Sequence, residues 1–437
     1  MMFARKFKEF VRKFRENDFA KNIVTLLTGT TAAQIVPFVL SPVLTRLYSP
    51  DDFGVLALFF SVCSVLSVVA AGRYELSIVI PEKDGDAANI VALSIFVSIV
   101  FALVLQVVFA VFNSEIAALL GNQSAAFWLY FVPLVVFMMS LYNILRYFSI
   151  RIKDFKSVAV TRAVKSSAGS FFKLVFGFFG FTSGGLVAGE IVSQFFGNTS
   201  LVRNVYRRKE LFAGISRAKM ACEAKKYSDF PKFSLPGALS NSLSLNLNSF
   251  FLTSLFSLAV LGQYALVNKA VSIPLNLLGS SVSDAYFQRA AQERNETGSA
   301  KNAFVQSAKY LSLIAVPVFL VLFFLGGELF AFVFGESWRI AGNYAEILSF
   351  LVAVRLVAVP LSVTMSTFEK QKTSLMLTLL QLALMVAVFV VSNVFSFEMK
   401  EFLVLYTALM TVYYMLMLLV CFNIAVKGRK DGRKAGN

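Results

Sequence analysis

From residue 22 onward the sequence alternates long apolar runs with short polar connections. The runs cover 22–46, 53–80, 87–112, 125–148, 158–181, 183–204, 231–258, 262–284, 303–327, 341–367, 373–395 and 401–426. A helix needs about 20 apolar residues to cross a hydrocarbon core, so the pattern predicts twelve transmembrane helices and leaves no room for a sizeable soluble domain. Ahead of them, Phe3, Phe7, Phe10 and Phe14 recur at helical spacing among Arg5, Lys6, Lys8, Arg12, Lys13 and Arg15. That spacing predicts an amphipathic helix in the membrane interface over 1–21 rather than a signal peptide.

Composition agrees with lipid as the solvent. Of the 437 residues 57% are hydrophobic and 15% charged, with a mean hydropathy of +0.71, whereas soluble domains carry about 25% charged residues. The net charge of +16 reflects membrane topology, not a nucleic-acid partner. Of 41 Lys and Arg, 32 fall in the tails and in or beside the even-numbered connections, against Arg46, Arg339 and Lys400 on the other side. The positive-inside rule then places both termini in the cytoplasm. The absence of histidine excludes imidazole acid–base chemistry and most transition-metal sites. Cys63, Cys222 and Cys421 lack ligand spacing and read as free thiols, so no metal or cofactor is expected.

The largest connection, 206–230, is basic and separates an N-lobe at 22–205 from a C-lobe at 231–426, with a basic tail over 427–437. Gly54 and Gly262 stand 208 residues apart and each opens a run, predicting a duplicated six-plus-six architecture with a substrate site between the halves.

Set apart from the cations that flank connections, six are read as intramembrane: Arg73, Arg162, Lys165, Lys173, Lys269 and Arg355. A charge at the centre of a span costs about 2.5–3.5 kcal/mol on insertion scales, so such residues face a bundle interior or a hydrated cavity. On a helical wheel Arg162, Lys165, Gly169 and Lys173 share an arc of about 80°. Lys173 either lines a cavity or pairs with Glu190 on the next run. Glu190 heads a polar face with Ser193, Gln194 and Gly197, and could instead carry a coupling proton. Lys269 and Asn276 share a polar face in the eighth run, Asn248 belongs to one in the seventh, and Arg355 shares its face with Ser362 and Ser366. Arg73 and Glu75 fall about 200° apart on a helical wheel, yet both lie near the cytoplasmic end of the run, where a static pair between them stays open. Asp284 ends the eighth run and is a candidate gate partner for Arg73. Inward-facing cations outnumber acids, which favours an anionic substrate, and phosphate is the common anion held by Lys and Arg without a metal.

Two stretches carry a family resemblance: Leu44-Thr45-Arg46-Leu47-Tyr48-Ser49-Pro50-Asp51-Asp52-Phe53-Gly54 and Gly72-Arg73-Tyr74-Glu75-Leu76-Ser77-Ile78-Val79-Ile80-Pro81. With the six-plus-six layout they resemble the polysaccharide flippases of the multidrug/oligosaccharidyl-lipid/polysaccharide exporter superfamily, of the O-antigen translocase type. The resemblance implies a non-enzymatic transporter of the bacterial cytoplasmic membrane, working as a monomer by alternating access. Its cationic lumen would accept the diphosphate of an undecaprenyl-diphosphate-linked oligosaccharide, with membrane lipids, a polysaccharide polymerase and glycosyltransferases as partners. Proton, sodium and membrane potential all remain open as the driving force. Lipid II flippases of the superfamily usually have two further spans, and its drug exporters select cations with intramembrane carboxylates. A membrane-embedded polymerase or glycosyltransferase would need a paired carboxylate or a large loop, and neither is present.

Overall fold

The computed structural model describes residues 35–120 and 126–428; the amphipathic helix expected over 1–21 and most of the tail at 427–437 lie outside them. The structure is 89% helical with no strands among the described residues, an all-α polytopic membrane protein. Its long helices are α1 (Ile35–Leu47), α2 (Pro50–Ala70), α3 (Asp84–Val111), α4 (Val132–Arg151), α5 (Phe155–Phe178), α6 (Ser183–Arg207), α7 (Leu235–Leu255), α8 (Leu258–Thr297), α9 (Lys301–Phe334), α10 (Arg339–Leu361), α11 (Gln371–Val394) and α12 (Met399–Lys427). Each overlaps one apolar run. Seven of them (α2, α3, α4 and α9 through α12) are long and apolar enough to cross a membrane by length and composition alone. The helices α5 through α8 are as long, but interleave Lys, Asn, Ser and Gln with their apolar residues.

The glycine spacing reappears in the helix starts. Ser49 caps α2 by accepting from the Asp52 amide, and Ser257 caps α8 by accepting from the Val260 amide. A serine cap satisfies one otherwise unpaired amide and contributes about 1 kcal/mol. These caps repeat the 208-residue offset of Gly54 and Gly262, so the same local signal opens both helices.

Contacts divide the chain into compact units at Ser254 and Leu255. The sequence reading begins a C-lobe at 231, whereas α7 is grouped with the first unit; its Ser242 hydroxyl donates to the Ser64 carbonyl at 3.5 Å. In the first unit α4 packs on α2, α3 and α6, while α5 pairs with α6. In the second unit α10 is the central helix, packed on α8, α9 and α12.

The second run is not one helix to residue 80, as the sequence reading has it. Helix α2 ends at Ala70, Gly72 and Arg73 both adopt left-handed backbone (φ 60° and 64°), and Tyr74–Val79 forms a 3-10 turn. Glycine takes that conformation freely, whereas arginine does so at a steric cost. The reversal overrides the helical wheel, and of the arrangements left open for Arg73 the structure displays the static pair with Glu75, at 3.4 Å.

The basic connection is also folded. A 3-10 turn (Lys209–Phe212), a short helix (Arg217–Lys226) capped by Ser216 and a π turn (Phe230–Ser234) occupy it. Phe212, Tyr227 and Phe230 pack against Ile78, Ile90, Ile144 and Phe148. The Tyr74 hydroxyl donates to the Ala224 carbonyl at 3.2 Å, and the Ser216 amide to Asn89 at 3.1 Å. Apolar anchors spaced among Lys and Arg explain how so basic a segment packs against the first unit. Buried Glu223, and then Tyr227, hold the exposed Lys226 ammonium above its usual pKa.

Candidate functional site

The densest intramembrane charge of the first unit lies where α5 meets α6. Three glycines let these helices approach closely: a Cβ on Gly169 would lie 2.9 Å from that of Ser193, one on Gly189 2.5 Å from Lys173 Cγ, and one on Gly197 2.9 Å from Lys165 Cδ. Small residues at such a seam let side chains and backbone pack where lipid supplies no hydrophobic drive. The stems of Lys165 and Lys173 therefore lie across α6. The Lys173 ammonium reaches Glu190 Oε2 at 2.6 Å, and both side chains are 15% exposed. Gln194 donates to the other Glu190 oxygen at 3.0 Å, and Asn198 donates to the Gln194 and Met138 carbonyls. The Lys165 ammonium stands 4.7 Å above the Tyr142 ring, and the Ser193 hydroxyl donates to the Lys165 carbonyl. Of the two alternatives left open for Lys173, the structure displays the ion pair.

Near the turn that follows α2, Arg73 and Glu75 form a partly unsatisfied cluster with Arg146 of α4. Glu75 is 6% exposed, and its Oε2 has no hydrogen-bond partner, as is also true of the Nε atoms of Arg73 and Arg146. Beyond it, Arg151 ties α4 to the loop before α3, through Asp84 at 2.9 Å and the Pro81 carbonyl at 2.7 Å.

In the second unit Arg355 projects from the central helix α10. Its guanidinium lies 5.6 Å from the centroid of the Tyr414 ring, within cation–π range. Tyr406 and Tyr264 interact electrostatically with it, and both are less than 9% exposed. Gln381 of α11 donates to the Tyr414 hydroxyl at 3.4 Å. The Nε of Arg355 is shielded from solvent and has no partner, and no ion pair of Arg355 occurs among the described residues. Tyrosines rather than carboxylates are its neighbours among the described residues.

Arg162, Lys269 and Asn248 are half-buried on α5, α8 and α7. Asn276 and Asp284 belong to α8, but their side chains lie outside the described residues. Arg146, the tyrosines around Arg355 and Gln381 escaped a reading focused on Lys and Arg within runs; three tyrosines (406, 413 and 414) in one apolar run were the available signal. Glu346 also escaped it. This carboxylate of α10 accepts from the Gly327 amide of α9 at 2.8 Å, beside a crossing where a Cβ on Gly342 would run into the Gly326 carbonyl. Glu346 is engaged in that crossing.

These features define a multi-pass α-helical membrane protein, and its fold is that of the MATE transporters. An inward-facing multidrug resistance MATE transporter of the MOP superfamily aligns with a TM-score of 0.63, 14% identity, and 91% of this chain and 92% of that one. An outward-facing form gives 0.60, 16%, 92% and 94%. A MOP superfamily transporter from Pyrococcus furiosus, whose binding pocket is described as reversed in polarity, gives 0.59, 15%, 92% and 94%. Residues 43–343 match the polysaccharide biosynthesis protein family, to which this chain belongs. It is 21% identical over 328 residues to the succinoglycan biosynthesis transport protein ExoT of Rhizobium meliloti, covering 74% of this chain and 63% of that protein. Over 136 residues it is 25% identical to the teichuronic acid biosynthesis protein TuaB of Bacillus subtilis, covering 31% and 28%. The chain thus aligns with less than two thirds of either relative's length.

Proposed function

We propose that this protein carries a lipid-linked oligosaccharide, an undecaprenyl-diphosphate-linked repeat unit, across the bacterial cytoplasmic membrane by alternating access. The observation that carries this reading is Arg355, a deep cation of the second unit beside Tyr414, with Tyr406 and Tyr264 nearby and no ion pair among the described residues. Diphosphate supplies the missing counter-charge, and guanidinium matches its oxygens better than ammonium does. Tyrosine faces beside the cation suit sugar rings. The family and a relative named for succinoglycan transport support a polysaccharide precursor as cargo. Arg73, Arg162, Lys165, Lys269, Asn248 and Asn276 belong to the same proposed cationic path. Lys173 contributes through its pair with Glu190, while Glu75 and Asp284 are proposed at the gate. In this reading twelve spans form two six-helix lobes with both termini cytoplasmic.

The test is reconstitution of the full chain in vesicles carrying a lipid-linked oligosaccharide. Redistribution of the unchanged molecule between leaflets is expected. A lengthened glycan would replace this reading with a polymerase, and neither redistribution nor elongation would remove the lipid-linked cargo.

A further inference from the structure

Two adjoining grooves run along the exposed side of α9 in the second unit. The larger, about 670 Å³, extends from Phe304 past Lys309 to Pro317, with Phe422 of α12 on its far side. The smaller, about 320 Å³, shares Ser312 and Val316 with it and continues to Phe319, against α10 and α12. The lining is apolar apart from Lys309 and Ser312. Exposed Leu313 (74%) and Val316 (55%) belong to a spanning helix, so their surroundings are lipid.

Lys309 has a defined place on this helix. It is the last charged residue before 310–327, a stretch with no Asp, Glu, Lys or Arg and close to the roughly 20 residues that cross a hydrocarbon core. Its ammonium therefore sits at the depth of lipid phosphates, while the groove descends into the apolar region. From Lys309 to Phe319 the helical rise amounts to about 15 Å, half of a core about 30 Å thick.

We infer that this groove holds the isoprenoid tail of a polyprenyl phosphate lipid, with the phosphate at Lys309. The inference rests on the lipid-linked cargo proposed above. Three features favour this occupant. A protein helix, about 10–12 Å across with its side chains, is too thick for grooves of this volume. One channel with one cation suits a single-chain lipid phosphate, whereas a diacyl lipid would seat only one of its two chains. The groove also shares a wall with the Arg355 site: Val354 of α10 and Met415 of α12 line it, while their neighbours Arg355 and Tyr414 meet each other. A carrier lipid docked here waits beside the helices that present Arg355.

The full chain, in phosphatidylcholine vesicles, is irradiated with a photoreactive polyprenyl phosphate, and the labelled residues are mapped. Labelling is expected on α9 and α12 around Val316 and Phe422, with competition by unlabelled polyprenyl phosphate but not by phosphatidylglycerol or inorganic phosphate. Lys309→Ala should lower labelling about fivefold, the share of one basic residue at a membrane surface, and Lys309→Arg should restore it. Val316→Trp and, as a milder filling variant, Ala308→Leu should each block the groove in protein that still reconstitutes. Labelling elsewhere, equal competition by phosphatidylglycerol, or indifference to both filling variants would overturn the inference. The same vesicles are assayed for redistribution of lipid-linked sugar. Groove labelling without redistribution would sink the transport reading alone, and redistribution with labelling elsewhere would sink the groove alone.

Discussion

In the first unit Lys173 lies 2.6 Å from Glu190, inside a hydrogen-bonded chain that runs through Gln194 and Asn198. In the second, Arg355 stands among tyrosines and its Nε has no partner. The first arrangement is electrically closed, since each charge answers the other and an incoming anion would have to displace a carboxylate. The second is open, because tyrosines stand beside a guanidinium without cancelling its charge. Removing a member of the closed pair should therefore act first on the fold, and removing the open cation first on function.

The largest expected effect is on the closed pair. Lys173→Met leaves a carboxylate in a low-dielectric seam, and losing one partner of a buried pair costs about 3–5 kcal/mol. Thermal unfolding of the detergent-solubilised protein should show that loss, while the double variant Lys173→Met with Glu190→Gln should recover most of it. If the single variant unfolds like the wild type, the pair does not stabilise the first unit.

Helix seams test whether the two units also differ in rigidity. At Gly342 an added methyl meets the backbone carbonyl of Gly326, which cannot swing away, whereas at Gly189 it meets the Lys173 side chain as well as its backbone. Overpacking costs about 1–3 kcal/mol. Gly342→Ala should sit at the upper end and Gly189→Ala at the lower, both read as shifts in the thermal midpoint. The reverse order would mean that the α5–α6 seam is the stiffer.

How much of this was legible beforehand depends on the kind of signal. The apolar runs announced the helices because lipid demands length and hydrophobicity of every span, and periodicity placed Lys173 and Glu190 near enough to offer a pair. What failed was the assumption that a run remains helical to its end: consecutive left-handed residues at Gly72 and Arg73 bring Arg73 and Glu75, about 200° apart on a wheel, into contact. A wheel carries no information about such a reversal. The Tyr414–Arg355 contact was likewise out of reach, because two helices 59 residues apart in sequence meet only through tertiary packing. The folding of 206–230 was obscured by its charge, although Phe212, Tyr227 and Phe230 marked its anchors.

On the open site, Arg355→Met orphans no carboxylate, so stability should change by about 1 kcal/mol or less, within the ordinary range for a single substitution. Redistribution of lipid-linked oligosaccharide should nevertheless fall about tenfold or more, which is the scale of one charge-assisted hydrogen bond to phosphate. Arg355→Lys should retain part of the activity, since it keeps the charge and loses the planar fork. Severe unfolding with Arg355→Met would place this cation in the same category as Lys173 and erase the contrast.

The smallest effect should come from Tyr414→Phe, which separates the ring of this residue from its hydroxyl. The ring remains, and with it the cation–π contact at 5.6 Å. The hydroxyl is lost, and with it the long hydrogen bond from Gln381. A hydrogen bond of this kind contributes about 0.5–1.5 kcal/mol net, which corresponds to a loss of transport of about two- to tenfold. Tyr414→Leu removes ring and hydroxyl together, so it should cost more than Tyr414→Phe by the value of the cation–π contact, about 0.5–1 kcal/mol or above where water is excluded. Equal losses in the two variants would assign the whole effect to the hydroxyl, and the ring would not serve as a face for the guanidinium. A Tyr414→Phe protein with full activity and a weakened Tyr414→Leu protein would assign it to the ring, in which case Arg355 is held by polarisable faces and stays free to turn its N–H groups toward an anion.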